Sequence, residues 1–352
     1  MSLLDIITLS GDPIEMGEQL GAHNKDIIDE VRDEIARHNN LVQRSDIKKI
    51  HGAYILKVIE YLKKNDPATI QMCSGLEKGL GLDDSLLKYN IGHLLFNPLE
   101  ALAKHTSTSL GCTAFAVYNA GLGMLGKTRD SLLELAKFQR FVRVQPKNGL
   151  NYICMTSVIS PLVYCSGMNE HLIVADTSVC SSDIWAGLPA FSLMRHILEN
   201  FETETQAVDY LKKSKRMGRN NIIILDKNGY KAVFESGKIN FGVFSEPGNI
   251  SLATTNHHES DDLKPHNIRD PEGALESRQR YKLVEGSLPK ITTPEQAMKL
   301  MQTHDPPGYL CWHGGSNNHT IGATIYGFSQ KVPFILHCDG YPCTGFFEEI
   351  PF

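Results

Sequence analysis

The rhythm of hydrophobic and polar positions changes near residue 105. Before it the spacing is helical. Asp12-Pro13 caps a segment with apolar residues at Ile27, Ile28, Val31 and Ile35, and Ile50, Tyr54, Ile55, Val58, Ile59 and Leu62 keep the same period. Asp66-Pro67 opens another helix. Beyond residue 105, strand-like runs fall at 112–118, 124–129, 151–158, 161–166 and 171–176, followed by helices over 189–201 and 204–216. Thr203 and Gln206 form a capping box at the second of these. Asn228-Gly229 predicts a hairpin between Asn221–Leu225 and Lys231–Glu235. Further strands are expected at 239–244, 250–254, 320–328 and 333–338, and helices at 274–286 and 294–303, the latter opened by Thr293-Pro294 with Gln296. Runs of strands followed by runs of helices predict an α+β class with largely antiparallel sheets.

The first strand run begins at Gly111-Cys112-Thr113-Ala114-Phe115 and reaches the turn-prone Asn119-Ala120-Gly121-Leu122-Gly123, after which Met124 to Asp130 form the return run. A loop centred on Gly121 sets Cys112 opposite Asp130 at the open end. A cysteine in an apolar run is ordinarily an inert core residue. Gly111 changes that reading. With no Cβ, it lets the amide before Cys112 take backbone shapes closed to other residues and leaves its carbonyl open to the neighbouring sulfur. Such an attack cuts the chain and gives Cys112 a free amino group.

Gly111-Cys112-Thr113, the Gly126-x-x-x-Asp130 motif, the Gly167-Met168-Asn169-Glu170 turn and Thr255-Asn256-His257 occur in an order that resembles one family. It is the acyl-coenzyme A:6-aminopenicillanate acyltransferase-like group of cysteine N-terminal-nucleophile (Ntn) hydrolases, related more distantly to the bile salt and penicillin V amidases. Gly11-Asp12-Pro13-x-x-Met16-Gly17-x-x-x-Gly21 is similar to the family's opening helix, and Gly322-Ala323-Thr324-Ile325 to its late core strand. The resemblance implies a four-layer αββα sandwich. It also implies a helical segment, 1–111, released as an α chain, and a core, 112–352, forming one globular unit with it.

The chemistry needs a nucleophile, a base, oxyanion donors and a group that holds the base. A terminal cysteine supplies two of these, since its α-amine titrates at about 7.7–8.0 and can take the proton of its own thiol. Asp130 is the expected orienter of that amine. Asn256, at a strand end, is the expected oxyanion donor, because its amide donates without titrating. His257 or His258 serving Cys112 in a Cys-His mechanism is the internal rival. Arg129 points to the strand face opposite Asp130, where a surface cation is the ordinary outcome and where the family often has an aromatic residue. Ser178 and Thr320 are candidate polar contacts in the pocket, with Arg129 and His257 as further substrate-binding candidates. Relatives often carry asparagines where this chain has Asp176-Thr177-Ser178. The penicillin-forming enzyme has Ser-Arg where it has Thr320-Ile321, so the cation expected to read a penicillin-like carboxylate is missing.

The remaining composition narrows the function classes. The 352 residues carry a net charge of -5 with acids and bases interspersed, so no basic stripe invites nucleic acid. No apolar run approaches the ~18 residues that span a bilayer, and no secretory leader is legible at the start, so a cytoplasmic protein is expected. The eight cysteines contain no Cys-x-x-Cys pair and imply no disulfide framework. Cys311-x-His313 with His319 lacks a second well-spaced pair, and a glycine- and asparagine-rich loop is the preferred explanation, so no metal and no cofactor is expected. No glycine-rich phosphate loop for coenzyme A is visible. The reading is an autoprocessed cysteine amidohydrolase that forms an acyl-thioester on Cys112 from a small-molecule acyl amide or thioester. An acyltransferase and a noncatalytic binding protein of the same fold stay open as alternatives, as does a homo-oligomer.

Overall fold

Local signals place the N-terminal helices. In the computed structural model, which describes residues 6–104, 111–161, 163–246, 251–305, 308–313 and 318–352, Asp12 caps α1 (Pro13–His23) by accepting from Ile14 N and Glu15 N. Glu15 completes the box by accepting from Asp12 N at 2.8 Å. Asp66 caps α4 (Pro67–Leu80) through Thr69 N. These two helices cross on paired glycines. A Cβ on Gly21 would lie 2.6 Å from Leu76 O, and one on Gly75 would strike Ile14 O, so Gly17-x-x-x-Gly21 and Gly75-x-x-x-Gly79 let the backbones touch. Helices α2 (Ile28–Gln43), α3 (Lys48–Asn65) and α5 (Leu86–Lys104) complete the N-terminal layer. None of the described helices is long and apolar enough to cross a membrane.

Two sheets come next. The eight-stranded sheet runs in the order β1 (Ile7–Gly11), β4 (Gln139–Pro146), β5 (Tyr152–Ser157), β6 (Ser166–Asn169), β7 (Leu172–Ser178), β8 (Asn220–Asp226), β9 (Lys231–Ser236) and β10 (Phe241–Glu246). The six-stranded sheet runs β11 (Leu252–Thr254), β2 (Thr113–Asn119), β3 (Leu122–Leu132), β12 (Asn318–Ser329), β13 (Val332–Asp339) and β14 (Glu348–Glu349). Alternation along the strands gives each sheet two apolar faces. The inner faces meet through Ala114, Ala116, Leu125, Tyr326 and Phe328 on one side and Phe141, Ile153, Met168, Ile173 and Ile223 on the other. On its outer face the larger sheet packs Val142, Val174, Ile222 and Ile224 against the N-terminal helices and against α6 (Ala190–Asn200) and α7 (Glu204–Lys213). Phe115, Val117, Met124 and Ile325 on the outer face of the smaller sheet meet α8 (Pro271–Ser287) and α9 (Pro294–Met301). The result is the αββα sandwich.

Three expectations are corrected. The 1–111 segment is not purely helical, because β1 pairs in parallel with β4, from Ile7 opposite Val142 to Gly11 opposite Pro146. Residues 161 and 163–165 are not a strand; pairing begins only at Ser166, beyond Pro161, which has no N–H to give a ladder. The β2–β3 turn is centred between Ala120 (φ 48°) and Gly121 (φ 86°), the two-residue loop of a type I′ hairpin. Thr113 therefore pairs with Thr128, and Cys112 falls one position short of the register that would set it opposite Asp130.

A buried ion cluster ties the N-terminal layer to the rest. Arg195 of α6 donates to Asp66 Oδ1 and to Glu199 Oε2, each at 2.5 Å.

Candidate active site

Cys112 lies half-buried where the chain enters β2. Its carbonyl accepts from Arg280 Nη1 at 2.7 Å, and the same nitrogen donates to Thr113 Oγ1 at 2.9 Å. Arg280 Nη2 donates to Asn256 Oδ1 at 2.8 Å. One fully buried guanidinium thus joins the nucleophile's backbone to the expected oxyanion residue. Arg280 was missed by sequence reasoning because a helical arginine near Glu276 reads as a surface ion pair. The signal was the spacing of Gly273, Ser277, Arg280 and Val284, the buried stripe of α8.

Asp130 sits on the same side as Arg280. A Cβ on Gly111 would lie 3.0 Å from Asp130 Oδ2 and 3.2 Å from Arg280 Nη2, so the preceding glycine is seated against the carboxylate and the guanidinium. The contact of Asp130 with Cys112 runs through backbone: Cys112 Sγ stands 3.9 Å from Asp130 O. Thr320 Oγ1 donates to Asp130 Oδ1 at 2.7 Å. Burial pushes the Asp130 carboxyl up to about 6, against the opposing pull of Arg280, the Thr320 hydroxyl and Lys127.

Lys127, the second residue of Gly126-x-x-x-Asp130, was also missed. It is 2% exposed, and its ammonium lies beside the Cys112 sulfur. Burial works to lower its pKa, but the nearby Cys112 thiol, Asp176 carboxyl and Cys165 thiol outweigh that and hold it above the ordinary lysine value. A β-strand lysine ordinarily reads as solvated; its place two residues from the inner-face Leu125 was the available clue.

The other predicted residues divide. Asn256 Nδ2 donates to Ser178 O at 2.8 Å, which uses one of its two hydrogens and leaves the second. The arginine on Oδ1 fixes which end of the amide is oxygen. Ser178 is half-buried at the end of β7 and enters this network through its carbonyl. Thr320 is buried and occupied: besides Asp130, its Oγ1 accepts from Trp312 N at 2.7 Å. Arg129 does lie on the face opposite the Asp130 carboxylate, but it is buried rather than a surface cation. It donates to Gln139 Oε1 at 2.6 Å and stands 4.5 Å over the Tyr164 ring. His257 is bonded to Ser277 Oγ through Nδ1 at 2.8 Å and paired with Glu259 through Nε2 at 2.8 Å. Burial pushes it down to about 4, against the pull of Glu259. His258 Nδ1 meets Asn221 Oδ1 at 2.9 Å. None of these contacts of either ring is with Cys112. Metal-ligating side chains converge at a separate place, His304, Cys311, His313 and Cys343.

The sandwich thus carries Cys112 at the head of a strand of the smaller sheet, with Asp130, Lys127 and Arg280 near it. The sequence model of the acyl-coenzyme A:6-aminopenicillanic acid acyl-transferase family matches residues 119–335, more than half of the chain, and the chain belongs to that family. Comparison with curated proteins gives no match. Among solved structures the chain is similar to a mutant of the conjugated bile acid hydrolase from Clostridium perfringens, at 12% identity and a TM-score of 0.46, over 68% of this chain and 97% of that one. It is also similar to penicillin V acylase from Agrobacterium tumefaciens, at 13% identity and a TM-score of 0.44, over 65% and 82%.

Proposed function

We propose that the protein is an autoprocessed cysteine amidohydrolase acting on linear amides. The observation that carries this reading is the seating of the Gly111-Cys112 peptide: Arg280 holds the Cys112 carbonyl, and Asp130, Arg280 and Glu276 crowd Gly111 so closely that an added Cβ would lie 3.0, 3.2 and 3.3 Å from them. In maturation, Cys112 Sγ attacks the Gly111 carbonyl, the C–N bond breaks, and the acyl group passes to sulfur while the Cys112 nitrogen becomes a free amine. Water then cleaves that thioester, releasing the Gly111 carboxylate and restoring the thiol. In turnover the amine takes the thiol proton, the thiolate attacks the substrate carbonyl, and the ammonium returns the proton to the leaving amine. Water resolves the acyl-thioester. Asp130 would hold the ammonium, the free Nδ2 hydrogen of Asn256 would meet the oxyanion, and Lys127 would stabilise the thiolate.

Acyl transfer is favoured by one observation. Lys127, Arg129 and Arg219 are all buried around one acid, Asp176. This surplus of positive charge near the nucleophile suits an acceptor bearing a carboxylate. Intact mass tests the main reading. Wild-type protein is expected as fragments of about 12 kDa and about 27 kDa with cysteine at the new N-terminus, and Cys112→Ala as one full-length chain. A fully active chain that stays uncut would remove the amine as base. Product analysis with an acyl-amide and rising amino-acid acceptor separates the two outcomes: free acid marks a hydrolase, and saturable new amide marks a transferase.

A further inference from the structure

We infer that His304, Cys311, His313 and Cys343 form a structural zinc site. One ligand atom from each lies within 4.8 Å of all the others, although the residues come from the loop after α9, the approach to β12 and the turn after β13. The backbone brings them there. Leu310 N and Cys311 N both donate to Thr303 O at 3.0 Å, which folds the loop so that His304 and Cys311 become neighbours. Gly345 N donates to Tyr341 O at 2.8 Å and closes the turn that carries Cys343.

The donor set and its supports suit the ion. His313 Nε2 stands 3.0 Å from Cys343 Sγ. His304 Nδ1 lies 3.0 Å from Cys311 O, and because a carbonyl only accepts, Nδ1 carries the proton and Nε2 is left bare as a ligand. The His313 ring is stacked on His304 with centroids 3.9 Å apart, so one of the two imidazoles must swing edge-on before both nitrogens can face one ion, and Tyr341 backs His313 at 4.5 Å. Two thiolates and two imidazoles are a soft, tetrahedral set that selects zinc over magnesium or calcium. Ligands at about 2.0–2.3 Å from zinc stand about 3.3–3.8 Å apart, so an inward movement of these side chains together with a swing of one imidazole out of the stack completes the shell. With every position filled by protein, the ion is structural rather than water-activating. In the sequence, Cys311-x-His313 lacks its second pair because His304 precedes it and Cys343 comes only after β12 and β13.

Its position gives it a task. Trp312, between two ligands, accepts from Thr320 N at 2.8 Å and donates to Thr320 Oγ1 at 2.7 Å, and Thr320 in turn donates to Asp130. Zinc would fix the segment that holds the Thr320 hydroxyl on the carboxylate. The test is metal analysis of the full chain, purified with reductant and without chelator, followed by cobalt(II) exchange. About one zinc per chain is expected, with tetrahedral ligand-field bands and a thiolate-to-cobalt charge-transfer band in the cobalt form. Cys343→Ser is expected to lose the metal and weaken that band. His304→Ala, at an exposed position, is expected to fold and still bind poorly, which decides the matter if the serine variant does not fold. A chain that takes up no zinc, an octahedral cobalt spectrum, a Cys311–Cys343 disulfide in the protein as purified, or a folded His304→Ala with unchanged affinity would overturn the site. None of these readouts depends on whether the chain is cut at Gly111.

Discussion

Asp130 is a carboxylate kept from water, and its titration carries a sign that can be checked. Between the ordinary value of 3.8 and about 6, the folded chain holds a proton that the unfolded chain has released. The contribution of this group to stability therefore falls as pH rises through that window. If the ionised form is the working one, cutting of the intact chain is expected to slow as pH drops below about 6. In a chain cut as proposed, the new Cys112 ammonium would add a positive charge beside the carboxylate, so the acid limb of turnover is expected at lower pH than that of processing. Time courses of cutting and kcat/KM profiles measured on the same preparation check both limbs; coincident limbs would count against Asp130 as partner of the amine. Asn256→Ala is expected to lower kcat by about 10²-fold to 10³-fold. It also leaves Arg280 Nη2 without its acceptor, a buried loss of about 1–3 kcal/mol that thermal unfolding would register. A change confined to KM would make Asn256 a binding residue.

At the scale of elements, packing decides more than propensity. The glycines shared by α1 and α4 give the sharpest case: Gly75→Ala sets a methyl against Ile14 O, and a loss of about 1–3 kcal/mol is expected. Gly52→Ala on α3 has nothing within 4 Å of its new methyl and is expected to stabilise by about 0.5–1 kcal/mol through helix propensity. Denaturant midpoints of the two variants test this contrast. The sequence foretold helices and hairpins where local chemistry sets them, as at Asp12, Thr203, Thr293 and Asn228-Gly229. It misled where a local choice runs against preference. Ala120 takes a positive φ that Asn or Gly would normally supply, and that shifts the hairpin register by one. Arg280 and Lys127 left only a trace in the local spacing, because their burial depends on strands and helices far away in the chain. Motif and order bring Cys112, Asp130 and Asn256 forward as candidates, but not the guanidinium that links Cys112 and Asn256.

For the whole molecule, the layered class was legible from the order of runs, while the parallel contact of β1 with β4 was not, since a short strand gives no sign of a partner so distant in sequence. If the chain is cut at Gly111-Cys112 as proposed, that contact bears on the fate of the two pieces. Helices α1 and α4 share one core with the larger sheet, and Asp66 is bound to Arg195 across the two parts. Removing either partner of such a pair typically costs about 3–5 kcal/mol. The two fragments are therefore expected to co-elute in size exclusion and to part only in denaturant. Elution of the larger fragment alone under native conditions would contradict this.

The parallel seam at β1 has a second consequence. Strand β4 lies next to the end of its sheet, and β1 is what occupies its free side. Were the N-terminal piece lost, the N–H and C=O groups that Val142 to Gln145 turn toward β1 would face solvent as an open template, the kind of edge on which separate molecules zip together into aggregates. The piece severed from the nucleophile would thus remain as a guard strand, keeping each molecule from recruiting the next.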